Sequence, residues 1–406
     1  MTPRLILRPG KVALVTATIG ISATAVLLNG QAAPYFLCVG LTGACACISL
    51  ERRNLLFSQT CLLPWIVFFW LVLATTIRYA LNSNVSLASF PVDPFSELTK
   101  IIAILIILLV IISAGIMSEW VFQRTMALVA LLHGVLLLYG LSNGQATLRI
   151  LANTESVTRF SGADFKTAAW AEIALGTIMA ATLSRRLWVG ITIIPIALYT
   201  ILAADMRTTL LASVVMMLIL LVGRIGRIKH GKQRQLVWVG SAIFIILIGL
   251  AYRDHIVAAV SDILLLNDRH RGISSGFSGR FDNFAHGWAA FLEHVILGAG
   301  FNNPIVNYTH SGYILTFAQM GAPLALLLLP HLFLAGTRAL RYGDFVLLSV
   351  ITGLLFFYLG QPRNINFQVC PLLGLVACAR VLLGNIVRRP AKRKVAQYEY
   401  ASLNPV

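Results

Sequence analysis

The sequence predicts an all-α polytopic membrane protein of about 12 transmembrane helices, with both termini cytoplasmic and a large loop before helix 10. Three observations carry this. Apolar types make up 58% of the 406 residues and charged types 12%, about half the charged share of an average soluble domain; mean hydropathy is +0.82. The apolar residues come in continuous runs near the 20 or so residues that a bilayer-crossing helix needs. Lysine and arginine concentrate in alternate connections between those runs. Together these exclude a soluble enzyme, a disordered chain and a disulfide scaffold. Continuous rather than alternating runs exclude a transmembrane β-barrel.

The runs lie near 12–29, 33–50, 61–77, 101–117, 125–142, 167–183, 187–204, 208–223, 235–252, 313–335, 345–360 and 368–387. The first follows Arg4, Arg8 and Lys11 and imitates a secretory signal. No small-residue cleavage site follows it closely, so it reads as a retained span. With the N-terminus inside, 20 Lys and Arg fall in the cytoplasmic connections and 11 on the other side, with Arg380 inside the last run. Acidic residues show the opposite bias. The formal charge of +17 is thus a topological signal and a contact with anionic lipid head groups, not a nucleic-acid footprint. All six cysteines lie in apolar runs and read as buried free thiols.

The cytoplasmic connections are short, basic and without a phosphate cradle or a carboxylate pair. The other face carries the chemistry. Its loops near 79–100 and 143–166 are polar, and the longest, 253–312, holds five of the eight histidines. Long connections between tight elements are usually functional. The chain reads as a single transmembrane domain, 1–406, with 253–312 as a loop insertion. Within it, Asn267 to Gly279 is rich in turn residues. Phe281, Phe284, Trp288, Phe291, Leu292 and Val295 then follow helical spacing, which predicts an amphipathic helix near 280–296 with Arg280 in its first turn. Gly298-Ala299-Gly300 stops that helix. His310 stands just before the tenth span.

No D-x-D, H-E-x-x-H or Cys/His cluster is present, so neither a metal nor a cofactor is expected. Carboxylates inside spans are few, Glu172 and Asp205, which argues against an ion-coupled transporter. His133 and His331, inside spans, are expected to bond neighbouring backbone. His286 and His294, two turns apart, either share a helix face or are structural or solvated histidines, the latter being the favoured reading.

These pieces resemble the O-antigen ligase and polymerase superfamily of bacterial envelope glycosyltransferases. His310-Ser311, nine residues, then Gly321 fits the ligase pattern. Gly279-Arg280, Trp288 and Leu297-Gly298-Ala299-Gly300-Phe301 look like the superfamily's large loop. Met206-Arg207-Thr208 stands where its outer-face arginine stands. Met206 and Leu324 depart from the usual residue types. The resemblance implies a GT-C-like layout in a Gram-negative inner membrane, with the large loop and the active site in the periplasm. It implies a metal-independent, inverting transfer. The donor is O-antigen on undecaprenyl diphosphate and the acceptor a sugar hydroxyl of lipid A–core oligosaccharide.

On that footing His310 is either the general base, kept neutral by the helix N-terminus and nearby arginines, or a helix-capping or interface histidine. Arg207 and Arg280 either clamp the departing diphosphate, since guanidinium forks match phosphate oxygens, or are flanking arginines that snorkel to lipid head groups. Asp205 either orients Arg207 or is a solvated loop acid. Arg149, Arg159 and Arg363 are further outer-face cations within reach of phosphate or acceptor, or simply solvated. Trp288, Tyr308 and Tyr313 either stack on sugar rings or sit in the interfacial aromatic belt. The competing readings are an O-antigen polymerase, a protein-glycosylating relative and, from another class, a lipid-linked oligosaccharide flippase.

Overall fold

Apolar runs become helices wherever the structure describes them. The computed structural model describes residues 14, 18, 19, 21, 22, 59–82, 94–150, 156–161, 167–204, 206–226, 276–301, 309, 311–360 and 369–383. In chain order the helices are α1 (Gln59–Asn82), α2 (Pro94–Ile116), α3 (Glu119–Asn143), α4 (Thr167–Leu183), α5 (Leu187–Ala203), α6 (Arg207–Gly226), α7 (Gly276–Glu293), α8 (Gly312–Arg341) and α9 (Phe345–Gly360). A further helix, α10, covers Val369–Leu383. The expected spans at 33–50 and 235–252 lie outside the described residues, and the first is described only at residues 14, 18, 19, 21 and 22, all helical.

Among the described residues four helical stretches are long and apolar enough to cross a membrane: Leu62–Leu81, Glu119–Asn143, Arg207–Gly226 and Gly312–Arg341. Their outward faces carry large apolar side chains such as Phe69 and Val135, as expected where the solvent is lipid rather than water. The chain is a membrane protein.

One element departs from the all-helical expectation. The polar stretch after α3 forms an antiparallel hairpin, β1 (Gln145–Ile150) with β2 (Ser156–Ser161), in the register Ala146↔Phe160, Leu148↔Thr158 and Ile150↔Ser156. Its strands are rich in Thr, Val, Ile and Phe, types that suit a pleated surface. Each strand is only six residues long, too short to stand out beside the apolar runs.

The helices pack as a bundle, α9 against α6 and α8, α4 against α3 and α5, and α1 against α2. Small residues permit the closest approaches, as is usual between membrane helices. A Cβ on Gly140 of α3 would stand 2.0 Å from the Trp170 ring of α4, and one on Gly353 of α9 would stand 2.5 Å from Met216 of α6. The core is filled by Trp170, Phe122, Phe357 and Tyr358, all but inaccessible.

Charges tie one end of the bundle together. Arg185, held at φ 56°, reaches Asp344 Oδ2 at 2.5 Å and Glu119 at 3.6 Å. Arg380 of α10 donates to Glu119 and to the Met117 carbonyl. An arginine inside an apolar run is thereby paired. His331 makes the expected contact, to the Leu327 carbonyl. His133 does not. It is buried in α3, and neither ring nitrogen has a partner among the described residues.

Candidate functional site

The opposite end of the bundle is organised around a break in α8. Gly321 has φ 78° and ψ 170°, a region that only glycine occupies without strain. Pro323 follows two residues later and has no N–H, so the Gln319 carbonyl loses its helical donor. The Gly298 turn supplies the missing bonds. Ala299 N–H donates to Ala318 O at 2.7 Å and Gly300 N–H to Gln319 O at 3.2 Å, while Ala322 N–H donates to Val295 O at 2.7 Å. Two glycine motifs, 23 residues apart in sequence, thus complete each other's backbone hydrogen bonding.

The same turn is gripped from the side by α1 and α2. Glu97, fully buried in the first turn of α2, pairs with Arg78 at 2.9 Å. Both Glu97 oxygens accept from Phe301 N–H, at 3.1 and 3.2 Å. Arg78 donates to the carbonyls of Leu297, at 2.6 Å, and Gly298, at 3.1 Å, and also to Thr75 Oγ1.

Helix α7 lies on the start of α8. A Cβ on Gly287 would stand 2.0 Å from Thr309 Cγ2 and 3.0 Å from Ile314 Cγ2, so α7 meets the segment that immediately precedes α8. Trp288, Phe291 and Phe317 extend this contact as an aromatic cluster, with centroids 4.9 Å apart for Trp288–Phe291 and 5.3 Å for Phe291–Phe317. Helix α9 completes the end. Gly312 fits against the Tyr358 ring, and Gly360 fits against Thr208, the second residue of α6.

Helix α7 thus lies directly on the junction before α8, while the start of α6 reaches the same end of the bundle through the end of α9. Comparison with known proteins selects the same stretch. Residues 191–329 match the O-antigen ligase family model. No curated protein matches the chain. The matched segment contains Arg207, Arg280, position 310 and both glycine motifs. It leaves out Arg78, Glu97, the hairpin and position 363.

Within the matched segment, Arg207 is the first residue of α6, where unpaired backbone N–H groups collect. Helix α7 begins at Gly276, four residues before Arg280, so Arg280 falls in the second turn and not the first. Arg280 lies seven residues, about 10 Å along the axis, from the Gly287 contact. His310 itself lies outside the described residues, as do Asp205, Tyr308 and Arg363. Its neighbours Thr309 and Ser311 are buried, and Ser311 occupies the cap position of α8.

The aromatic residues divide. Trp288 stays 45% exposed at the edge of its cluster. Tyr313 is committed to the bundle: its hydroxyl donates to Leu355 O at 2.9 Å and its ring packs edge-on against Tyr358. Arg149 and Arg159 stand on the hairpin, opposite Val157 and Thr147. His286 is on α7, but His294 belongs to the turn that follows it, so the two do not share a helix face. Among the described residues no group of three or more His, Cys, Asp and Glu side chains comes together.

Arg78 and Glu97 are the residues that sequence reading passed over. The polar connection near 79–100 absorbed Glu97, whereas α2 begins at Pro94 and draws it inside. The available signal was an opposite pair of charges at the facing ends of two successive apolar helices.

Proposed function

We propose that the protein is an O-antigen ligase of a Gram-negative inner membrane, with its active site on the periplasmic face. It transfers O-antigen polysaccharide from undecaprenyl diphosphate to a sugar hydroxyl of lipid A–core and so completes lipopolysaccharide. The observation that carries this reading is the packing of the matched segment. Helix α7, which carries Arg280, packs on Thr309 and Ile314 before and within α8, and α9 links the start of α8 to the start of α6, which carries Arg207.

In this mechanism His310 accepts the proton of the acceptor hydroxyl as its oxygen attacks the anomeric carbon from the face opposite the diphosphate. The bond from that carbon to the diphosphate oxygen breaks, and the configuration inverts. Arg207 and Arg280 stabilise the charge that builds on the departing diphosphate, as fixed cations aimed at a leaving group do. No metal ion or other cofactor takes part in this reading. Asp205, Arg149, Arg159 and Arg363 supply further polar contacts. Trp288 offers a ring to a sugar; membrane lipids surround the apolar faces.

The nearest other reading is the polymerase, which uses the same donor but another lipid-linked glycan as acceptor. The His310-Ser311, nine residues, Gly321 spacing favours the ligase. Deletion followed by glycolipid analysis separates the two. Loss of a ligase leaves bare lipid A–core, with long polymer held on undecaprenyl diphosphate. Loss of a polymerase leaves core capped with a single repeat unit, and that result would overturn the ligase assignment.

A further inference from the structure

We infer that Arg78 and Glu97 are positioning residues for glycan transfer, acting through the Gly298–Phe301 turn; the inference rests on the ligase reading above. The turn's four N–H groups are all committed. Gly298 N–H donates to His294 O at 2.8 Å, Ala299 and Gly300 N–H donate to α8, and Phe301 N–H donates to Glu97. The glycine-rich turn is therefore no open cradle for a phosphate. Its amides are used to fix the end of α7 to the break in α8.

Three of those four acceptors are backbone carbonyls of the matched segment. The fourth is a side chain from α2, outside it. Two of the turn's own carbonyls, Leu297 and Gly298, are held by Arg78 of α1. A Cβ at position 300 would stand 2.8 Å from Glu97 Oε1, so the carboxylate is seated against the backbone itself.

A buried pair adds little net stability over an apolar pair of similar volume. Its contribution is directional. The guanidinium fork and the two-oxygen acceptor fix orientation as well as distance. What they orient is the joint between the helix that carries Arg280 and the span that follows His310. Loosening that joint shifts the diphosphate clamp relative to the base, and a misplacement of about 1 Å in a catalytic constellation costs roughly 10²-fold in rate.

The test uses the full-length protein in vesicles, with undecaprenyl-diphosphate-linked glycan as donor and lipid A–core as acceptor. The Arg78→Met/Glu97→Leu double variant removes the pair while keeping apolar bulk. We expect kcat to fall roughly 10²-fold with donor KM within about 3-fold of wild type, the pattern of a lost transition-state alignment. Amide exchange across Gly298–Phe301 should speed up. Arg78→Lys, one point donor in place of a fork, and the isosteric Glu97→Gln serve if the double variant does not fold. Arg78→Lys should lower kcat at unchanged donor KM, and Glu97→Gln, which keeps an acceptor for Phe301 N–H, should lower it less. Folded variants with wild-type kcat would overturn the positioning role, as would a raised donor KM at unchanged kcat. Wild-type protein that transfers nothing overturns the ligase reading itself. Wild-type transfer with unaffected variants overturns the positioning role alone.

Discussion

Gly298 and Gly321 meet backbone to backbone. A Cβ on Gly298 would lie 2.6 Å from the Gly321 nitrogen, and a Cβ on Gly321 would lie 2.9 Å from the Gly298 nitrogen and 2.2 Å from Ile296 O. Both residues have positive φ, 69° and 78°. The contact joins the loop that carries Arg280 to the span that follows His310, so each glycine is required twice, for its conformation and for its lack of a side chain.

Alanine at either position should therefore destabilise the protein. Backbone strain alone costs about 1–3 kcal/mol, and the clash with backbone atoms adds to it. Gly226→Ala, where nothing stands within 4 Å of the new carbon, should stay within about 0.5 kcal/mol of wild type. Thermal unfolding in detergent measures the difference. Equal melting temperatures for Gly321→Ala and Gly226→Ala would contradict the tight backbone contact.

The arginines should separate from the base in their kinetics. Arg207→Ala and Arg280→Ala should weaken donor binding as well as turnover, because a phosphate-binding cation acts in both the ground state and the transition state. Lysine at either site should restore only part of the activity, since it keeps the charge and loses the planar fork. Donor titration beside single-turnover transfer reads both effects. Full activity in Arg207→Lys would remove the argument for a bidentate clamp at α6.

Much of the bundle is legible in the sequence because a membrane span is a local signal. The run at 167–183 became α4 and the run at 345–360 became α9, residue for residue. The start of α7 was less legible, since Gly276 and Gly279 have low helix propensity and yet lie inside the helix. The hairpin lacked any apolar run to announce it. What the sequence could not display were the long-range contacts. Gly298 and Gly321 appear as separate motifs, and only the fold shows that Pro323 leaves a carbonyl for Gly300 to bond. Arg78 and Glu97 lie about 200 residues from the turn they grip, and no spacing rule connects them to it.

The proposed orientation, with residues 253–312 on the periplasmic side, rests on the distribution of Lys and Arg. A cysteine at Ser275 in an otherwise cysteine-free protein should react with a membrane-impermeant maleimide added to intact spheroplasts. Labelling only after the membrane is opened would invert the topology and move the proposed site to the cytoplasm.

The most direct measurement takes purified wild-type protein and His310→Ala in vesicles with lipid-linked O-antigen and lipid A–core, and follows donor binding and transfer separately. Wild type should produce capped lipid A–core. His310→Ala should bind donor as wild type does, because the diphosphate clamp is intact, while transfer falls by roughly 10²–10⁴, the usual contribution of a positioned general base. Near-normal transfer by His310→Ala would contradict the assignment of the base and, with it, the mechanism at its centre.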